Sequence, residues 1–97
     1  MKLVVSPQAA EDIEEAIRWW QEHRLKAPGL LESELARALE FVMASPRACA
    51  VLVPRGPVEV RRVPLPRSRY FVYFRIMDDE VRVLRLWHMS RASPPEP

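Results

Sequence analysis

The stretch Tyr70-Phe71-Val72-Tyr73-Phe74-Arg75-Ile76-Met77-Asp78-Asp79-Glu80-Val81-Arg82-Val83-Leu84-Arg85-Leu86-Trp87 decides the fold. Two runs dense in β-branched and aromatic residues flank a short acidic connection. That pattern predicts strands over 70–77 and 81–87, paired as an antiparallel hairpin. Upstream, Val58 to Leu65 is a third run of the same kind, and Pro66 to Arg69 supplies a second short turn, so the three strands form a meander. Pro54, Gly56 and Pro57 punctuate the chain just before it.

The first half of the chain has a different period. Lys2 to Val5 reads as a short strand, stopped by Ser6-Pro7, a hydroxyl at the N-cap followed by Pro in the first turn. The helix that starts there carries Ala10, Ile13, Ile17 and Trp20 as an apolar stripe, with Ala16 and Trp19 widening it, and ends near His23 and Arg24. A second helix is expected from Pro28 to about Ala44, where Ser45-Pro46 breaks it, with Leu31, Leu35, Ala38, Leu39 and Val42 as its stripe. Two such helices joined by a short loop bury one face on a sheet. The expected fold is therefore α+β with the order β-α-α-β-β-β, a helical hairpin packed on a mostly antiparallel four-stranded sheet. Residues 1–91 form one domain in this reading, and 92–97 a mobile tail.

Composition bounds the function. At 97 residues the chain has room for one core. A domain of this size buries only about 60–65% of its unfolded surface, which favours a complex with a partner. No apolar run approaches the roughly 20 residues needed to span a bilayer, so a soluble cytoplasmic protein is expected. Cys49 is the single cysteine, which excludes an internal disulfide and a cysteine-rich zinc site, and it reads as a small buried apolar residue. Asp78, Asp79 and Glu80 read as a solvated turn; no metal and no cofactor are expected. The net charge of +2 hides an asymmetry, because residues 51–97 hold nine basic and five acidic side chains against six and eight in residues 1–50. Thirteen of the fifteen basic residues are Arg, whose planar fork grips carboxylate or phosphate at two points. An acidic peptide or a nucleic acid is the partner such a surface suits.

Arg61-Arg62-Val63-Pro64-Leu65, Tyr70 to Ile76, and the ending Val83-Leu84-Arg85-Leu86-Trp87-His88-Met89-Ser90-Arg91 together resemble the ParE/RelE superfamily of type II toxins. The opening Ser6 to Ile13 and the pair Trp19-Trp20 extend the resemblance over residues 3–91. It implies a growth-arresting toxin held inactive by a cognate acidic antitoxin in a hetero-oligomer. ParE-like members are associated with inhibition of DNA gyrase by binding, without catalysis of their own. RelE-like members cleave messenger RNA on the ribosome, and that chemistry needs a base, an acid and fixed positive charge. His88 and Glu59 are the candidate base or acid here, with Arg61, Arg62, Arg75 and Arg91 as the cationic clamp. The ParE-like branch is favoured, since Phe71 follows Tyr70 where the nuclease branch often has a basic residue and no tyrosine follows Tyr73. A non-toxic antitoxin-binding module is the remaining alternative.

Candidate partner contacts are Trp19, Arg61, Arg62, Tyr70, Tyr73 and Arg91. Period two puts Arg61 and Arg62 on opposite faces of their strand, groups Arg75 with Phe71 and Tyr73, and separates Arg82 from Arg85. Trp19 is set at the edge of its helix stripe or at an interface. Arg91 is placed to fix a phosphate or a partner carboxylate, or to tie the C-terminal segment to the sheet.

Overall fold

A computed structural model describes residues 1–55 and 58–91. The tail expected to be mobile at 92–97, and the punctuating Gly56 and Pro57, lie outside the described residues. The elements are β1 (Lys2–Val5), α1 (Pro7–His23), α2 (Leu30–Ala44), a single 3-10 turn (Pro46–Ala48), β2 (Ala50–Arg55), β3 (Val58–Leu65), β4 (Tyr70–Met77) and β5 (Glu80–His88). The sheet order is β1-β5-β4-β3-β2. β1 runs parallel to β5, and the other neighbouring pairs are antiparallel.

The two-layer α+β architecture is the expected one, with five strands where four were expected. The additional strand, β2, is an edge strand that contains Pro54. Proline lacks the N–H that a central strand needs but is tolerated at an edge, so a residue that reads as punctuation sits inside a strand. α2 begins two residues later than Pro28 suggests. The carbonyl of Ala27 accepts both the indole N–H of Trp20 (2.7 Å) and the amide of Leu30 (3.2 Å), which holds residues 24–29 as a connection rather than a first turn.

Both helices pack on one face of the sheet. Ala9, Ala16 and Trp20 of α1 and Leu31, Leu35 and Ala38 of α2 meet Leu65, Tyr70, Val72, Val83 and Leu86 in the larger apolar cluster. Val42, Cys49, Phe74 and Val81 form the smaller one, and Val63 bridges the two. Cys49 is buried there, as its reading as a small apolar residue requires. The α1 stripe is centred on Ala9, Ile13, Ala16 and Trp20, with Ile17 at its edge; Ala10, expected in the stripe, faces solvent, and Ala9 takes its place.

Two carboxylates tie the layers together. Glu34 on α2 accepts the amides of Arg67 and Ser68 (both 2.8 Å) and the Ser68 hydroxyl (2.6 Å), so one side chain closes the β3–β4 turn. Asp12 on α1 accepts the amide of Leu86 (3.1 Å) and receives the Arg85 guanidinium at two points, 2.7 and 3.0 Å. Ser6 joins β1 to α1. Its amide donates to the Val83 carbonyl, its Oγ accepts the Ala9 amide as N-cap, and its hydroxyl donates to the Leu84 carbonyl.

Burial alone would raise the pKa of Glu34, but the Ser68 hydroxyl and the two turn amides outweigh it and hold the carboxyl below its ordinary 4.5. A depressed carboxyl contributes stability that is full above the unfolded-chain value and lost as pH falls through the folded one. Glu34→Ala, which strands the buried amide and hydroxyl of Ser68, should cost about 2–3 kcal/mol in chemical unfolding at neutral pH and flatten the acid limb of the stability profile. Asp12→Ala, which strands the Leu86 amide and the Arg85 guanidinium, should cost about 2 kcal/mol by the same measurement.

Candidate functional site

β1 pairs with β5 only as far as Val83, so the last residues of β5 meet α1 instead of a strand. Between that part of the helix and the strand lies a cleft of about 550 Å³, lined among others by Glu15, Trp19, Tyr70, Leu86, His88 and Arg91. Its helical wall carries Asp12, Glu15 and Glu22 with Arg18 among them, and Arg91 lies on the strand side. Trp19 is 43% exposed and stacks on His23 with ring centroids 4.5 Å apart. The expectation that Trp19 sits off the core while Trp20 fills it agrees with this geometry.

His88 lies at the end of β5 opposite Tyr70, with the two rings edge to face at 4.9 Å. Its Nδ1 accepts the backbone N–H of Ser90 at 3.1 Å and lies 2.7 Å from the Ser90 hydroxyl. An amide can only donate, so Nδ1 is the acceptor and the neutral ring carries its proton on Nε2. Burial, and then the charges of Arg69 and Arg91, push the imidazole below its ordinary 6.5. The ring is thus neutral near pH 7 with its basic nitrogen already engaged, an arrangement suited to donating a hydrogen bond from Nε2.

The other candidates are divided between the two faces of the sheet. Arg61 is on the helix side, where it donates to the carbonyls of Cys49 (2.8 Å) and Arg47 (3.3 Å) and pairs with Glu59 at 2.9 Å. It straps β3 to the connection after α2, and Glu59 is its counter-ion. Arg62 is on the opposite face, 4.0 Å over the Phe71 ring and 3.3 Å from the Tyr73 hydroxyl. Arg75 shares that face with Phe71 and Tyr73, as the alternation predicts. Arg91 stands between the two surfaces, since it lines the cleft and also lies 3.9 Å over Trp87.

One expected placement is overturned. Arg82 and Arg85 do not face opposite sides, because β5 carries a bulge that pairs Tyr73 with Arg85 and the next residue, Phe74, with Val83. The extra residue, Leu84, shifts the period by one. Arg82 falls opposite Arg75 and Arg85 opposite Tyr73, both on the face away from the helices. Asp12 has the greatest effect on the cleft that sequence reasoning missed; its partners Arg85 and Leu86 are over seventy residues distant, and nothing local signals them. Among the described residues no group of three or more His, Cys, Asp or Glu side chains is arranged to hold a metal.

In an NMR titration His88 should titrate below 6.5, and Arg91→Ala should raise its midpoint part of the way back, burial remaining the larger cause. A group with a depressed histidine pKa destabilises the fold as pH falls from 6.5 through the folded value, so Arg91→Ala should also reduce the acid loss of stability over that window. An unmoved midpoint would remove Arg91 from the electrostatics of the cleft.

A family model described as the ParE toxin of the type II toxin-antitoxin system, parDE, matches residues 3–93. A chain from a chromosomal ParDE TA system from P. aeruginosa has the same fold, with a TM-score of 0.69 and 21% sequence identity over 93% of this chain and 97% of that one. No curated protein matches the sequence.

Proposed function

We propose that this chain, which belongs to the ParE toxin family of type II toxin-antitoxin systems, acts by binding rather than by catalysis, with DNA gyrase as its target. The family makes it the toxin of such a pair, with an antitoxin as partner. The gyrase target comes from the ParE-like resemblance of the sequence, and a cytoplasmic site of action follows from that target. Residues 1–91 are taken as the toxin domain; the family match spans residues 3–93. Among the described residues no helix is long and apolar enough to cross a membrane.

The observation that carries the reading is the division of the nuclease candidates. Cleavage beside a ribose hydroxyl needs a base, an acid and a cationic clamp around one phosphate. Arg61 and Glu59 are tied to each other on the helix side, Arg62 and Arg75 lie on the other face, and His88 has its Nδ1 occupied by Ser90. A binding action asks less of the chain, namely an accessible surface with distinctive side chains. The cleft, with exposed Trp19 and Arg91 around half-buried His88, meets that description and is the proposed contact surface. Aromatic and arginine side chains of this kind dominate the binding energy of many interfaces.

Inducing the chain in a bacterial host should arrest growth and break chromosomes while leaving messages intact, and co-expression of the antitoxin should reverse both effects. Trp19→Ala should weaken the arrest while changing unfolding stability by less than about 1 kcal/mol, since the side chain is largely exposed. Intact chromosomes together with new message ends that disappear in His88→Ala would reject the binding reading in favour of ribosome-dependent cleavage.

A further inference from the structure

The face of the sheet away from the helices holds two buried residues that belong to neither apolar cluster: Val60, 8% exposed, and Tyr73, 2% exposed. Both helices pack on the other side, and among the described residues long side chains surround these two. Arg62 lies over Phe71 and donates to the Tyr73 hydroxyl, while Arg85 and Arg91 lie 4.9 and 3.9 Å over Trp87. The face is paved with guanidinium groups.

Its register concentrates charge. Arg75 stands directly opposite Arg82 on one side and Val60 on the other, and Arg62 occupies the next position of the same face on β3. Like charges directly opposite each other on neighbouring strands oppose pairing. Arg82 is neutralised within its own strand by Glu80, at 3.0 Å. Arg75 is not neutralised in this way: its Nε is out of contact with solvent and has no hydrogen-bond partner, and among the described residues no carboxylate pairs with it. A partly buried cation without a counter-ion of its own is costly unless an anion arrives from outside.

We propose that Arg75, together with Arg62 and Arg82, forms an anion site that takes the carboxylates of an acidic polypeptide segment lying in extended form across this face. The choice of carboxylate rests on three observations. The faces of Phe71 and Trp87 are already occupied by guanidinium groups and Tyr73 is buried, so a nucleobase finds no free ring on which to stack. The chain itself satisfies the neighbouring arginines with carboxylates, Glu80 on Arg82 and Asp12 on Arg85. Alternate residues of an extended chain are roughly 7 Å apart, the spacing of diagonal neighbours such as Arg75 and Arg62 on adjacent strands, so acidic residues at every second position reach both. The antitoxin of the pair is one chain able to carry such a segment; the inference depends on the partner reading for that identity alone, and the site is testable without it.

The test is a calorimetric titration of the purified full chain with a short glutamate homopeptide, and with an oligothymidylate of equal charge. The peptide should bind more tightly than the oligothymidylate, and Arg75→Gln and Arg82→Gln should each weaken the peptide by about tenfold. Arg37→Gln, on the exposed surface of α2, should leave its affinity unchanged. Because Arg75→Gln removes a like-charge opposition, the thermal midpoint of the free protein should hold or rise. Tighter binding of the oligothymidylate would make this a phosphate site and overturn the proposal, as would absent peptide binding or equal loss in Arg37→Gln. A fall in the thermal midpoint of Arg75→Gln would assign Arg75 a structural role and overturn it too. None of these readouts depends on growth arrest or on gyrase, so the proposal and the toxin reading fail separately.

Discussion

The rest of the structure depends on how the edge of β5 is completed. β1 is only four residues long and covers β5 from Glu80 to Val83, less than half of a nine-residue strand. An uncovered strand edge presents unsatisfied amides and carbonyls and invites pairing with other chains. Here Ser6 ends the strand and caps the helix in one residue, and two turns later Asp12 takes the Leu86 amide and the Arg85 guanidinium. The helix thereby replaces the missing strand. Its direction is fixed alongside β5, and that sets Trp19 beside Tyr70 and His88 and opens the cleft between them.

The bulge in β5 is the second constraint, and it sorts the arginines. Regular alternation would send Arg82 and Arg85 to opposite sides; one additional residue in the strand returns both to the face carrying Tyr73 and Arg75. Arg85 then reaches the sheet edge where Asp12 waits, so the bulge and the clasp are geometrically linked. The result is a sheet with two unlike faces. One is a conventional apolar contact with two helices, and the other is an aromatic surface covered by guanidinium groups. Stacking on rings allows these side chains to shield Val60 and Tyr73 while keeping their charge, which a lysine ammonium does less well.

The proposed binding action is supported by how the candidate groups are held. Groups able to perform acid–base chemistry on RNA are present by type, but each is engaged elsewhere: Glu59 by Arg61, Arg61 by two carbonyls, His88 by Ser90. Side chains held in such structural roles are poorly available for proton transfer. An exposed tryptophan beside a histidine and an arginine, and a cationic face with an unpaired guanidinium, are instead features of a surface that another macromolecule completes. A small domain with limited core area fits the same picture, since partner contacts add to its stability.

The sequence by itself determined the helices and four of the five strands, in their order. β-branched and aromatic density marked β3, β4 and β5, Ser6-Pro7 marked the start of α1, and the two-residue period correctly separated Arg61 from Arg62 and joined Arg75 to Tyr73. These features are legible because they depend on residues a few positions apart. It missed β2, where Pro54 reads as a breaker until the strand is known to lie at an edge, and it misplaced Arg85, because a bulge is defined by two strands together and leaves no mark in one. The candidate cleft was legible only as separate residues. What brought Trp19, Tyr70, His88 and Arg91 together was Asp12 meeting Arg85 and Leu86 across more than seventy residues, and what left Arg75 opposite Arg82 was the register of two paired strands. Local propensity is written along the chain, whereas hydrogen bonding across strands and charge against charge exist only once distant segments are brought side by side.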